Sequence, residues 1–81
     1  MTLWELNKGE TANVSHLWEH LDDSVSTRLV EMGFETDQNI KCLRRSLFAG
    51  PIVIQVGDCV YSLEQKIAEQ IFISTQETIA S

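Results

Sequence analysis

His16 and His20 stand four residues apart, and on a helix that spacing would put both imidazoles on one face as half of a metal site. Glu19, Asp22 and Asp23 add carboxylates, so the group His16, Glu19, His20 and Asp22 offers weak ligation to a divalent ion such as Fe(II) or Zn(II). The local pattern argues against a helix there. Ala12, Val14 and His16 alternate with Thr11, Asn13 and Ser15, which is strand spacing. His16 then ends a strand and His20 falls in the loop after it, where such side chains are ordinarily solvated. A small metal-binding or metal-sensing protein is therefore the alternative reading, and the leading expectation is a chain with no cofactor.

Cys42 and Cys59 are the two cysteines, and neither belongs to a Cys-x-x-Cys pair. Both fall at apolar-patterned strand positions. They read as small buried hydrophobes in a reducing compartment rather than as a disulfide or soft metal ligands. Lys41, Arg44 and Arg45 form the basic cluster, with Phe48 as the nearest aromatic. Small barrels bind RNA through basic strands and stacking aromatics. Here the net charge of -6 repels phosphate backbones and anionic headgroups, so neither nucleic acid nor direct membrane insertion is expected. No Gly-rich phosphate loop, nucleophile elbow or metalloprotease helix motif occurs, and no Ser–His pair is held together, so enzymatic activity is not expected.

The aromatics point elsewhere. Trp4, Trp18, Phe34 and Phe48 all lie in or beside loops. Trp4 and Trp18 read as lids over the core. Phe34 and the pair Leu47-Phe48 are harder to cover, and an apolar loop tip is a natural anchor for a protein partner. The candidate partner-binding residues are Phe34, Arg44, Arg45, Leu47 and Phe48.

These residues need a scaffold, and 81 residues suffice for one domain with one modest core. Gly57-Asp58 between two β-branched and aromatic runs predicts a tight hairpin, with strands over 52–56 and 59–63. Gly50-Pro51 opens it. Upstream, Thr2 with Glu5 predicts a capped helical turn over 3–6, and 11–17 is the first strand. Val25, Leu29 and Met32 repeat at helical spacing after the N-cap candidates Asp22, Asp23 and Ser24, and Gly33 ends that helix, about 24–32. A second strand is expected over 40–47, with a bulge or a swap of faces near Arg44. Ser62 with Gln65 suggests another capping box, a short helix over 64–69 and a closing strand over 71–74. The expectation is a mainly β chain: a small β-barrel of about five strands. A helix is inserted after strand 1 and a short helical turn precedes the last strand. The domain is 1–74, with 75–81 a frayed or disordered tail. Edge strands of so small a barrel leave pairing into a homo-oligomer open. No apolar run reaches the ~20 residues of a membrane helix, and Met1–Gly9 lacks a basic stretch before an apolar block, so the expected residence is the cytoplasm.

The order of Leu3, Leu6, Gly9 and Glu10, then Arg28-Leu29-x-x-Met32-Gly33-Phe34, Gly50-Pro51-Ile52, Tyr61-x-Leu63, Ala68 and Ile71 resembles the ferrous iron transport protein A (FeoA) family across about residues 2–74. The family pattern places a Pro-Gly turn after the Arg-Leu-x-x-Met-Gly segment. Thr36-Asp37 stands there instead, and aspartate accepts a left-handed angle better than most residues. The resemblance implies an SH3-like barrel and a cytoplasmic accessory protein of bacterial ferrous iron uptake. It also implies a partner, the cytosolic part of the permease FeoB, with recruitment to the inner face of the membrane through it. The same barrel serves as the C-terminal domain of metal-dependent repressors of the diphtheria-toxin-repressor type, but this chain carries no helix-turn-helix segment for DNA.

Overall fold

The computed structural model describes residues 1–46 and 50–75. A 3₁₀ turn, Leu3–Glu5, leads into β1 (Thr11–Leu17), α1 (Asp23–Glu31), β2 (Asn39–Arg44), β3 (Ile52–Val56), β4 (Cys59–Leu63), α2 (Gln65–Ala68) and β5 (Ile71–Thr75). The five strands form one antiparallel sheet in the order β4-β3-β2-β1-β5. The N-terminal segment lies against the outer side of β5: Thr2 bridges to Phe72, and the Ile73 N–H donates to Met1 O at 2.9 Å. The expected tail, 75–81, begins one residue too early, because Thr75 is the last residue of β5; residues 76–81 lie outside the described residues.

The core follows the alternation of the strands. Ala12 and Val14, Ile40 and Cys42, Ile52, Ile54 and Val56, Leu63, and Ile71 and Ile73 all point inward. Leu3, Leu6, Leu29, Phe34 and Ala68 close over them. Strand side chains repeat every two residues, so each strand can commit one face to this cluster. The hairpin turns at Gly57, whose φ of 60° suits a tight connection between twisted strands.

Helix α1 ends in a Schellman motif. The Gly33 N–H reaches Val30 O and the Phe34 N–H reaches Leu29 O, both at 3.0 Å, so two of the last carbonyls are satisfied. Only glycine fits position 33: φ is 108°, and a Cβ there would meet Val56 Cγ1 at 2.9 Å. The next turn carries Asp37 at φ 71°, the left-handed angle expected where the resembling family has glycine. It is stitched to mid-β1, with the Asp37 N–H donating to Val14 O at 2.8 Å and the Val14 N–H to Gln38 O at 2.9 Å.

Several expectations need correction. Strand β2 stops at Arg44 rather than at residue 47, because the register with β3 shifts between Cys42 and Arg44 and the chain then turns toward the N-terminal segment. Cys59 is exposed, not buried, because β4 is an edge strand with no neighbour on its outer side. Ser62 caps nothing: α2 begins after Glu64 with no side-chain cap. Helix α1 likewise has no side-chain cap, and Asp22 supports it through its carbonyl, which accepts from Val25 and Ser26. At the N-terminus the expected return bond is present, from the Thr2 N–H to Glu5 Oε1 at 2.9 Å.

Candidate functional site

Two bulges decide which side chains reach the surface at the two ends of the sheet. In β1 the inward positions are Ala12 and Val14, and strict alternation would bring His16 inward next. The register with β5 shifts between Val14 and His16 instead. From there Leu17 is half-buried against the core, and His16 and Trp18 turn outward. In β2 the inward positions are Ile40 and Cys42. The shift before Arg44 turns that side chain out to solvent and brings Arg45 toward the N-terminal segment.

Arg45 is thereby part of the protein's own structure rather than a free contact residue. Its Nη1 donates to Trp4 O and, at 2.9 Å, to Leu6 O, and the guanidinium carbon lies 4.8 Å from the centroid of the Trp4 ring. These bonds satisfy carbonyls leaving the first turn, and the cation covers the ring face. Trp4 is half-buried against the core, as a lid should be. Beside it Cys42 is fully enclosed, and its Sγ donates to Arg44 O at 3.7 Å. Burial pushes the Cys42 thiol above its ordinary value, only partly offset by a backbone hydrogen bond with Arg44 that favours the thiolate and by the charge of Arg45. Arg44 remains exposed. Leu47 and Phe48 lie outside the described residues.

Phe34 leaves the set of exposed anchors, because only 1% of its surface is exposed. The Schellman turn folds it back under α1, and its ring centroid lies 6.1 Å from that of Tyr61. The Tyr61 hydroxyl is in turn held above its ordinary value, first by a side-chain hydrogen bond with Cys59.

The imidazoles do not converge. His16 stacks flat on Phe72, its partner across the β1–β5 ladder, with centroids 4.7 Å apart and 9° between planes. Its Nδ1 lies 3.0 Å from Ser15 Oγ. His20 Nε2 sits 3.5 Å from Glu19 Oε2, with its ring edge-on to Trp18 at 5.2 Å. Among the described residues no three His, Cys, Asp or Glu side chains gather where they could hold a metal ion.

Trp18 is no lid: 41% of its surface is exposed. Its backbone is fixed, with the N–H donating to Gln70 O at 2.8 Å and the carbonyl accepting from the Leu21 N–H at 3.1 Å. The side chain, with Glu69, Gln70 and Phe72, lines a cavity of about 260 Å³. A larger open groove of about 440 Å³ lies alongside, between β1 and the end of α1, and includes His16, Leu17, Val30 and Glu35. Sequence reasoning missed the Trp18 cavity because period-2 spacing hides a bulge. The run Ser15-His16, polar where one inward residue was due, was the available signal.

The FeoA domain profile matches residues 1–75. Among solved structures, the chain is similar to Stenotrophomonas maltophilia FeoA in complex with zinc, described as a procaryotic SH3 domain protein and a candidate ferrous iron transport activating factor. Identity is 26%, coverage 91% of this chain and 89% of that one, and the TM-score 0.81. It is similar also to Chlorobium tepidum FeoA, at 25% identity, 95% and 71% coverage and a TM-score of 0.84. A manganese-dependent transcriptional repressor aligns at 22% identity and a TM-score of 0.83, over 94% of this chain but 41% of the repressor, a likeness of fold alone. None of the curated proteins matches the chain by sequence. The architecture is thus SH3-like: mainly β, with a helix after β1 and a short helix before β5.

Proposed function

The chain belongs to the FeoA domain family of non-enzymatic accessory domains associated with ferrous iron transport, and from that premise we propose that it binds the cytosolic part of the ferrous iron permease FeoB. In this reading it works in the cytoplasm at the inner face of the membrane and supports the permease's assembly or activity. The observation that carries the reading is the family match over 1–75, nearly the whole chain. Two features agree with it. No helix of the described residues is long and apolar enough to cross a membrane. The net charge of -6 disfavours nucleic acid and anionic lipid as competing partners.

The contact surface in this proposal is the segment after β2. Arg44 is exposed at the end of β2, and Leu47 and Phe48 follow in sequence. The test is a titration of the full chain with the permease's cytosolic domain, using wild type, Arg44→Glu and Phe48→Ala. Saturable binding weakened by either substitution is the expected result. Binding unaffected by both removes this segment from the contact, and no binding at all, with or without guanine nucleotide, overturns the function.

A further inference from the structure

We propose that the cavity walled by Trp18, Phe72 and Glu69 receives an arginine side chain from a protein partner. The depression is open and is lined by Trp18, Phe72, Glu69 and Gln70, with one face of the Phe72 ring stacked on His16; aromatic residues beside an acidic one are the chemistry that recognises a cation carried on an apolar stem. At about 260 Å³ it is smaller than the roughly 300–1,000 Å³ of sites for drug-sized ligands, so it suits one side chain. Gln65 Nε2 donates to Glu69 Oε2 at 2.8 Å. That bond engages one carboxylate oxygen and leaves the other without a bond from Gln65. No lysine or arginine of the described residues lines the cavity.

The other tryptophan supplies the template. Trp4 carries the Arg45 guanidinium 4.8 Å from its ring centroid, half-buried and hydrogen-bonded. Trp18 has an acidic neighbour in place of that cation and stays 41% exposed. A large exposed aromatic on a backbone fixed at both its N–H and its carbonyl is the form that interface anchors take. Charge favours the same occupant, because 12 acidic residues stand against 6 basic ones; the loop beside Trp18 carries Glu19 and Asp22 with one imidazole, His20, paired to Glu19, and Asp23 opens α1. Arginine is preferred to lysine because its planar group stacks on an aromatic face while its fork meets a carboxylate. The cavity lies at the opposite end of β1 from Arg44, roughly 20 Å along the strand, so this inference does not depend on the contact proposed above.

The test follows the two tryptophan indole N–H signals by NMR, assigned with Trp18→Phe, during titration of the full chain with capped tetra-arginine. Capped tetra-lysine, capped tetra-citrulline and a single-stranded RNA oligonucleotide are titrated in parallel. The Trp18 signal is expected to move saturably with tetra-arginine while the Trp4 signal stays in place. Affinity, read by isothermal titration calorimetry so that it does not depend on the Trp18 signal, should fall about fivefold with Trp18→Ala and about threefold with Glu69→Gln. Tetra-lysine should bind more weakly and tetra-citrulline not at all. Raising salt from about 50 to about 300 mM should weaken the complex. An unshifted Trp4 signal in each variant reports that the fold is intact. Shifts spread evenly over the acidic surface, affinity indifferent to both substitutions, or a Trp18 response to RNA and not to tetra-arginine would each overturn the proposal.

Discussion

Trp4 and Trp18 make a controlled comparison within one molecule. Both are tryptophans beside loops, and both lie near a point where a strand's register slips. At the end where β2 stops, the slip turns Arg45 inward, and Trp4 is covered by the chain's own cation. At the end where β1 stops, the slip turns Trp18 outward, beside Glu69 and, among the described residues, with no lysine or arginine lining its cavity. The first arrangement satisfies backbone carbonyls and holds the N-terminal turn to the barrel. The second leaves an aromatic face and a carboxylate available to another molecule. The same residue type serves stability in one place and recognition in the other, according to the parity of a single inserted residue.

Substitutions can break or sharpen that contrast. The largest effect belongs to Phe34, the aromatic that the Trp18 end does bury. Phe34→Ala should lower stability by about 3–5 kcal/mol in denaturant unfolding, because it empties a site 1% exposed. Arg45→Ala should cost about 2–3 kcal/mol, since two carbonyl hydrogen bonds to a charged donor and the ring contact are lost together. A loss under about 0.5 kcal/mol would reduce the Trp4 end to an ordinary surface pair. Asp37→Gly should raise stability by up to about 1 kcal/mol, relieving a left-handed angle while adding some freedom to the unfolded chain.

A smaller effect appears at alkaline pH. The Cys42 thiol holds its proton more tightly folded than unfolded, where its ordinary value is 9.0. The associated stability is complete below that value and is lost as pH rises from it through the raised folded value. Cys42→Ala should flatten this decline in thermal melts. Arg45 lowers the Cys42 value, so Arg45→Ala should prolong the decline to higher pH. Smallest of all, Trp18→Ala should change stability by less than about 0.5 kcal/mol. A loss above about 2 kcal/mol would mean that Trp18 is structural, and the contrast between the two ends would vanish.

Much of the fold was legible in the chain itself. The hairpin strands fall at 52–56 and 59–63 as the Gly57-Asp58 turn predicts, and β1 spans 11–17. Turn chemistry and β-branched runs act over a few residues, so local reasoning reaches them. The bulge near Arg44 and the left-handed Asp37 were legible for the same reason. The candidate site was less so. Arg45 read as a solvated contact and Phe34 as an exposed anchor, because neither residue's neighbours are close in sequence. Arg45 meets Trp4 across 41 positions, and Phe34, in the turn after α1, meets Tyr61 on β4. Cys59 looked inward by alternation, yet an edge strand offers one face less cover than alternation assumes.

Short-range sterics and capping set the order and type of the elements here, from the turn at Leu3 to the strand at Ile71. They also set the apolar faces that must be hidden. Which aromatic is hidden and which is displayed was settled only when the strands paired. A register shift of one residue exchanges the two faces of a strand, and that shift is fixed by hydrogen bonds to partners far along the chain.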